Sequence, residues 1–446
     1  MIERSRRRLR HSVGTASLLI VISSAAHAQI FEQTQQIDQY LNPLVYGTDI
    51  QPGVTVTTRL HPDYDPLGVR VGQFVILTRL TESFGYDDNV TGLQNGRGSP
   101  LINTAATVNA LNTMSDGSIA VQGNLADYEY LSASQQSFTT YNASVTGTHK
   151  FGEDLLTVSL AHYNMEQTPR DLDVPQLSSP IAYRFEDLQA SYAIAIGRWQ
   201  LQPTMDISYY NFDNGVVAGQ TLLQSYRDRI VYYPSFTARY EFATRRDLLL
   251  VVRDADASYT NAVRGLPTQD FNDVSVLAGL SYDVDGVIGF RLLGGYEERD
   301  FSARAYKKIQ APIVEGSVIW TPTDLTTVTG TAARYITDTS AEGTIGETET
   351  TIKLSVDHEL LRNVIVTGKA GFSSAEYFGG RASELYTVGG TVTWKLNRLL
   401  RLGLDYRFTD RQSPGGVPQQ IVQPSIFAFG QSYTENVVRL QLGVAF

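Results

Sequence analysis

The residues of this 446-residue chain best placed to do chemistry are ionisable side chains that recur at even spacing. Arg401, Asp405 and Arg407 share one parity, as do Glu435 and Arg439, Arg291 and Glu297, and Arg239 and Glu241; Lys369 is a further charge of this kind. On a strand, residues two apart share a face. A face of this sort, turned to water, would contact solute hydroxyls or set the ion selectivity of a pore. It would also form cross-strand ion pairs that stiffen a wall. Asp87, Asp88 and Asn89 offer the hard oxygen ligands that Ca²⁺ takes. Asp and Asn are equally the residues of ordinary strand-to-loop turns, and we read the cluster as a turn, with no metal site expected. Outside the first 28 residues the histidines are His61, His149, His162 and His358, widely spaced and without an H-E-x-x-H pattern. His162 and His358 are the strand-like candidates for a scattered Ser/His/Asp triad, and nothing orients them. There is no nucleophile elbow, P-loop or dinucleotide fingerprint. The absence of cysteine excludes thiolate zinc and cysteine nucleophiles. No catalytic residue and no cofactor is expected, and the chain is not read as an enzyme.

The elements that carry these charges alternate strictly. Leu400, Leu402, Leu404, Tyr406 and Phe408 oppose Arg401, Gly403, Asp405, Arg407 and Thr409. Val438, Leu440, Leu442, Val444 and Phe446 oppose Glu435, Arg439 and Gln441. Ile288, Phe290, Leu292 and Tyr296 stand against Arg291 and Glu297, and Tyr386, Val388, Val392 and Trp394 against Thr387, Thr391, Thr393 and Lys395. Ile230, Tyr232, Phe236, Tyr240 and Phe242 stand against Arg239 and Glu241. A soluble sandwich shows the same alternation, but its strands run about 5–6 residues, whereas these run about 13–16. Short turns near 115–117, 152–153, 197–198, 244–246, 285–286, 322–323, 361–362 and 397–398 separate longer polar connections. The connections cover 87–100, 131–137, 168–182, 213–228, 260–270, 299–308, 337–346, 378–384 and 411–432. Eight turns and nine loops make eighteen strands, an even number, as expected of an all-β transmembrane antiparallel barrel with short periplasmic turns and long extracellular loops. Closure follows from lipid, which leaves no partner for an unpaired sheet edge. Trp199, Trp320, Trp394, Tyr406 and Phe446 suit interfacial girdles. The terminal aromatic Phe446 reads as an assembly signal for the barrel-assembly machinery.

The start of the chain points to the same compartment. Arg4, Arg6, Arg7, Arg8 and Arg10 precede the apolar run Val13 to Ala25 and then Ala26-His27-Ala28. That is a secretory signal peptide over 1–28, cleaved after Ala28; the apolar run is too short to span a bilayer. Removing five Arg and one Glu takes the net charge from −10 to −14, which argues against nucleic acid as a partner. Mean hydropathy is −0.16, and an alternating barrel averages near zero in this way. Residues 29–68, broken by Pro43, Pro52, Pro62 and Pro66, are expected to form a periplasmic leader or a plug. Residues 69–446 are expected to form the barrel.

Several segments carry a resemblance. Arg-Leu-His-Pro-Asp-Tyr-Asp-Pro-Leu-Gly-Val-Arg-Val-Gly over 59–72, Tyr86 to Asn89, Trp-Thr-Pro-Thr-Asp-Leu-Thr-Thr-Val over 320–328, Ser-Val-Asp-His-Glu-Leu-Leu-Arg-Asn-Val over 355–364, the 402–411 segment and Asn436 to Phe446 occur in this order. Together they resemble the "putative β-barrel porin 2" family of bacterial outer-membrane proteins. The resemblance implies a porin-like barrel in a Gram-negative outer membrane. It further implies an exit channel for extracellular or capsular polysaccharide, with periplasmic polysaccharide-export components as partners. The other functions weighed are a general diffusion porin for small solutes and a structural barrel that docks a periplasmic partner. A porin often folds a long loop inward as a constriction; the longest loop here, 411–432, precedes the last strand, an unusual place for one.

Overall fold

The computed structural model describes residues 53–446 apart from 173, 175–176, 218, 262–266, 285, 340–344, 378–380 and 414–429. The expected signal peptide, its cleavage site, the leader up to residue 52 and most of the 411–432 loop lie outside the described residues. Eighteen long strands run Phe74–Asp87, Ser99–Thr113, Gly117–Tyr130, Phe138–Phe151, Asp154–Gln167, Ile181–Ile196, Trp199–Phe212, Arg229–Ala243, Arg246–Tyr259, Phe271–Val284, Ile288–Phe301, Ile309–Thr323, Thr326–Thr337, Glu347–Leu361, Val364–Tyr377, Arg381–Lys395, Leu400–Gln412 and Tyr433–Ala445. Each pairs antiparallel with the next. The first pairs with the last, from Arg79 opposite Ala445 to Asp87 opposite Val437, and the sheet closes. Below that seam the short strand Val69–Val71 covers the edge of Phe74–Asp87.

Every short turn lies where the alternation breaks. The strands reach further outward than expected at several connections, furthest at two: Ile288–Phe301 enters the 299–308 segment, and Arg381–Lys395 begins inside 378–384. The reason lies in outward residues such as Glu298 and Asp300. Asp300 falls in the segment that reads as loop, but both stand on the strand and pair with Lys308 of the neighbouring loop at 2.7 and 3.5 Å.

The barrel is inside out. Leu404 is 53 % exposed on the outer face, while Arg407 beside it in the opposite parity is 1 % exposed. Burying an arginine and exposing a leucine is the reverse of a soluble protein and is stable only where lipid is the outer solvent. Trp199, Trp320, Trp394, Tyr406 and Phe446 are all exposed on the outer face. Tyr240 lies against Trp199 near the periplasmic turns, and Tyr232 lies further up the same strand. At about 3.3 Å per residue and a tilt near 40°, these two tyrosines bracket roughly 20 Å of lipid. Phe446 bonds through its backbone to Thr78 at 2.9 and 3.2 Å, which ties the chain end to the first barrel strand.

Candidate functional site in the lumen

Strand register fixes which side chains enter the lumen, and the inward faces divide into two walls. The four strands from Ser99–Thr113 to Asp154–Gln167 present Asn103, Thr107, Asn109, Gln122, Asn124, Asn142, Ser144, Thr146, Thr157 and Ser159. No ionisable group save Tyr joins them on that face, apart from Lys150 at the periplasmic turn. Neighbours bond across the wall: Asn124 donates to Asn142 at 2.9 Å, Ser118 and Thr148 stand 2.8 Å apart, and Thr146 and Ser159 stand 3.0 Å apart. From Asn109 to Ser159 these side chains are part-exposed, so they face the space inside the barrel. Asp187 and Asp206, both within bonding distance of Ser208, bound this wall on one side.

The wall on the other side of the strand Phe74–Asp87 is ionic, and its charges are mostly buried. Arg170 of the loop between Asp154–Gln167 and Ile181–Ile196 reaches across the lumen. Its Nη1 donates to Asp87 and to Glu435 at 2.8 Å each, and its Nη2 donates to the Tyr130 hydroxyl at 3.0 Å. Arg407 donates to the second oxygen of Glu435 at 3.0 Å, and Arg439 donates to Asp405 at 3.0 Å. Arg411 donates to the carbonyls of Pro169 and Leu172 at 3.2 and 2.8 Å, and the Tyr433 hydroxyl donates to the Arg170 carbonyl at 2.9 Å. Leu172 packs with Ala375, Tyr377 and Leu385 on the far strands. The external loop 88–98 turns at Gly92, φ +60°, where a Cβ would press on Pro169 and Arg170; the left-handed backbone and the close approach both call for glycine. Burial pushes the Asp171 carboxyl up to about 7, although it accepts bonds from the Thr168 amide and hydroxyl. The described residues of the 168–180 connection thus turn inward and are held against the lumen face of the strands.

A second packed region lies beside it. Tyr183, Phe185, Tyr210, Phe212, Phe271 and Phe301 form an inward aromatic cluster at the outer ends of their strands, closed over by Tyr306 and Ile345 from loops. Tyr163 and Phe185 stack at 4.3 Å. Arg229 and Arg299 lie over Tyr210 and Phe271 at 4.4 and 3.8 Å and both grip Asp338, at 3.1 and 2.6 Å. Burial pushes the Asp338 carboxyl up, but the two guanidiniums outweigh it and hold it below the usual range.

At the periplasmic mouth, residues 53–68 cross from strand to strand. The Val56 amide donates to Thr327 Oγ1 at 3.0 Å, Arg59 and His61 approach Glu359 at 3.6 and 3.2 Å, Lys395 donates to Asp65 at 2.9 Å, and Arg398 donates to the Pro62 carbonyl at 2.8 Å.

All ten charged residues singled out from the sequence point inward by register. Arg239 pairs with Asp247 at 2.7 Å, and Glu241, exposed near the turn, accepts from the Arg245 amide. Glu297 accepts from the Ile336 amide at 3.1 Å, and Arg291 is buried. Lys369 sits beside Asp357 in the neighbouring strand's inward row. Asp405, Arg407, Glu435 and Arg439 are joined as above, and Arg401 stands without a carboxylate partner. Asp87, Asp88 and Asn89 do not converge. Asp87 faces the lumen and Arg170, Asp88 binds Asn436 at 2.8 Å, and the Asn89 amide group donates to the carbonyls of Leu93 and Thr434. Among the described residues no group of three acidic or histidine ligands could hold a metal. His162 and His358 lie on the outer face, bonded to Glu186 and Thr326. Sequence reasoning missed Arg170, Tyr130 and Arg79. The signal for Arg170 was present in its loop, where Leu172, Val174 and Leu177 are apolar residues that water would not favour.

Among solved structures the chain is similar to OccK2 (OpdF) of Pseudomonas aeruginosa, with 11% identity over 84% of this chain and 98% of that one and a TM-score of 0.44. It is also similar to OccAB2 of Acinetobacter baumannii, with 12% identity, coverages of 84% and 98% and a TM-score of 0.43. The FrpB iron transporter (F5-1 variant) of Neisseria meningitidis matches at 8% identity, coverages of 83% and 82% and a TM-score of 0.42. A search of curated protein sequences finds no match. The sequence profile of the family described as "Putative beta-barrel porin 2" matches residues 61–445. The chain is thus an outer-membrane β-barrel of the transport type, and it belongs to the β-barrel porin 2 family.

Proposed function

We propose that this barrel is a passive channel for small hydrophilic solutes, which pass along the neutral wall of strands 99–167. The observation that carries the reading is the contrast in exposure: hydroxyl and amide side chains such as Asn124, Asn142 and Ser144 face the lumen space, whereas the ionic network around Arg170 is sealed. Hydroxyl and amide groups exchange hydrogen bonds with water and with polar solutes at small net free energy, which suits transit better than tight retention. Export of a polysaccharide, implied by the resemblance, draws less support. A polymer would need both the loop 168–180 and the segment 53–68 displaced, and both are held by charged hydrogen bonds. Planar-bilayer recording on the purified chain tests the reading. Stable conductance steps and liposome permeability to small sugars are expected. A barrel that never conducts and admits no sugar would overturn it.

A further inference from the structure

Arginines on the inward face of this barrel are almost all spoken for. Arg229, Arg239, Arg253, Arg299, Arg407 and Arg439 meet carboxylates, and Arg411 meets carbonyls. Among the described residues Arg79 and Arg401 break the pattern. No carboxylate or carbonyl accepts from either guanidinium; the Nε of each is buried without a partner, as it also is in Arg407 and Arg411, but those two have acceptors at their Nη atoms. They flank the last strand, with Arg79 opposite Ala445 and Arg401 opposite Gly443. Small residues between them leave their side chains room to approach; Arg79 feels the charge of Arg401, and Arg401 feels that of Asp65. Lys395 stands directly opposite Arg401 on the next strand. The one carboxylate bonded within this group is Asp65 of the 53–68 segment, and it is bonded to Lys395.

Two guanidiniums that share one half-buried place repel, and an anion between them relieves the repulsion. A planar fork of N–H donors is the group best matched to a carboxylate or phosphate. We infer that Arg79 and Arg401, with Lys395 beside them, form an anion-binding site at the periplasmic end of the lumen. It takes the phosphate or carboxylate group of a small solute. Arg79 also borders the neutral wall, since it faces Thr107. A solute moving along that wall therefore brings its anionic group to the site, and there it competes with Asp65 for Lys395. This inference deepens the channel reading and rests on it for the solute's route.

Isothermal titration of the full detergent-solubilised chain with inorganic phosphate, and separately with succinate, tests it and tells the two anion chemistries apart. Saturable binding of at least one is expected. It should weaken about tenfold or more in Arg79→Gln/Arg401→Gln, as loss of charge-assisted bonds requires, and tighten in Asp65→Asn. Arg79→Lys/Arg401→Lys should retain part of it. Lys353→Gln, which removes an inward cation elsewhere, should leave it unchanged. Heat-modifiable migration on gels verifies that each variant is a closed barrel. Absence of binding by both anions would overturn the site, as would equal binding by the double glutamine variant or equal loss in Lys353→Gln. A wild type that binds phosphate but never conducts would sink the channel and leave the site standing.

Discussion

The wall of strands 99–167 and the wall of strands 364–445 enclose one lumen, yet their inward side chains do opposite jobs. The first carries uncharged groups that remain in contact with the lumen space. The second carries the charges, and Arg407, Glu435 and Arg439 are 1, 0 and 1 % exposed. Charge on an inward strand face is therefore a poor guide to what lines a path. In this barrel much of it pairs strand to strand or clamps a loop, and the side chains that strands 99–167 turn to the space are nearly all uncharged. Arg79 and Arg401 lie where the two walls meet and keep free the charge that the rest of the ionic wall has committed.

The comparison breaks first at Arg170. Arg170→Ala leaves Asp87 buried without its cation and Glu435 with Arg407 alone, a loss of about 3–5 kcal/mol. Loop 168–180 should leave the lumen, unfolding in denaturant should come earlier, and single-channel conductance should rise. Arg170→Lys keeps a charge without the fork and should fall between. Unchanged conductance in Arg170→Ala would mean that the loop does not narrow the path. On the neutral wall, Asn124→Ala/Asn142→Ala removes a hydrogen bond worth about 1 kcal/mol. Stability should barely move, while the permeation rate of sugars in liposome swelling should change.

The smallest effects are those of pH, and they run in opposite directions in two loops. Asp171 has a raised pKa, so its contribution is complete below the ordinary carboxylate range and is lost as pH rises toward about 7. Loop 168–180 should exchange amide hydrogens more freely at neutral pH than at pH near 4.5, once intrinsic rates are allowed for. Asp338 has a lowered pKa, so its hold on Arg229 and Arg299 is present at neutral pH and lost as acid protonates it. The loop it anchors should loosen on acidification. Protection that moves the same way in both loops would contradict the assignment.

The strand count, the inside-out faces and the alternation of short turns with long loops were legible because period two needs only local sequence. The direction in which Arg407 or Glu435 points was legible for the same reason. What those residues do was not. Arg170 meets Asp87 and Glu435 across 83 and 265 residues of chain, and no local pattern announces such a pair. Thr168-Pro169-Arg170-Asp171 looks like any solvated turn, and nothing in it marks the loop as turned inward. Arg79 was legible in parity but stood alone in its segment, and its meaning depends on Arg401 across the closing seam.

The most direct test uses the absence of native cysteine. Ser144→Cys and Thr409→Cys place one thiol on each wall, and a charged methanethiosulfonate reagent is added while conductance is recorded. Ser144 is part-exposed to the lumen and Thr409 is 0 % exposed. The reagent should reduce current through Ser144→Cys and leave Thr409→Cys unaffected. Block at Thr409→Cys with none at Ser144→Cys would place the path along the ionic wall and contradict the account.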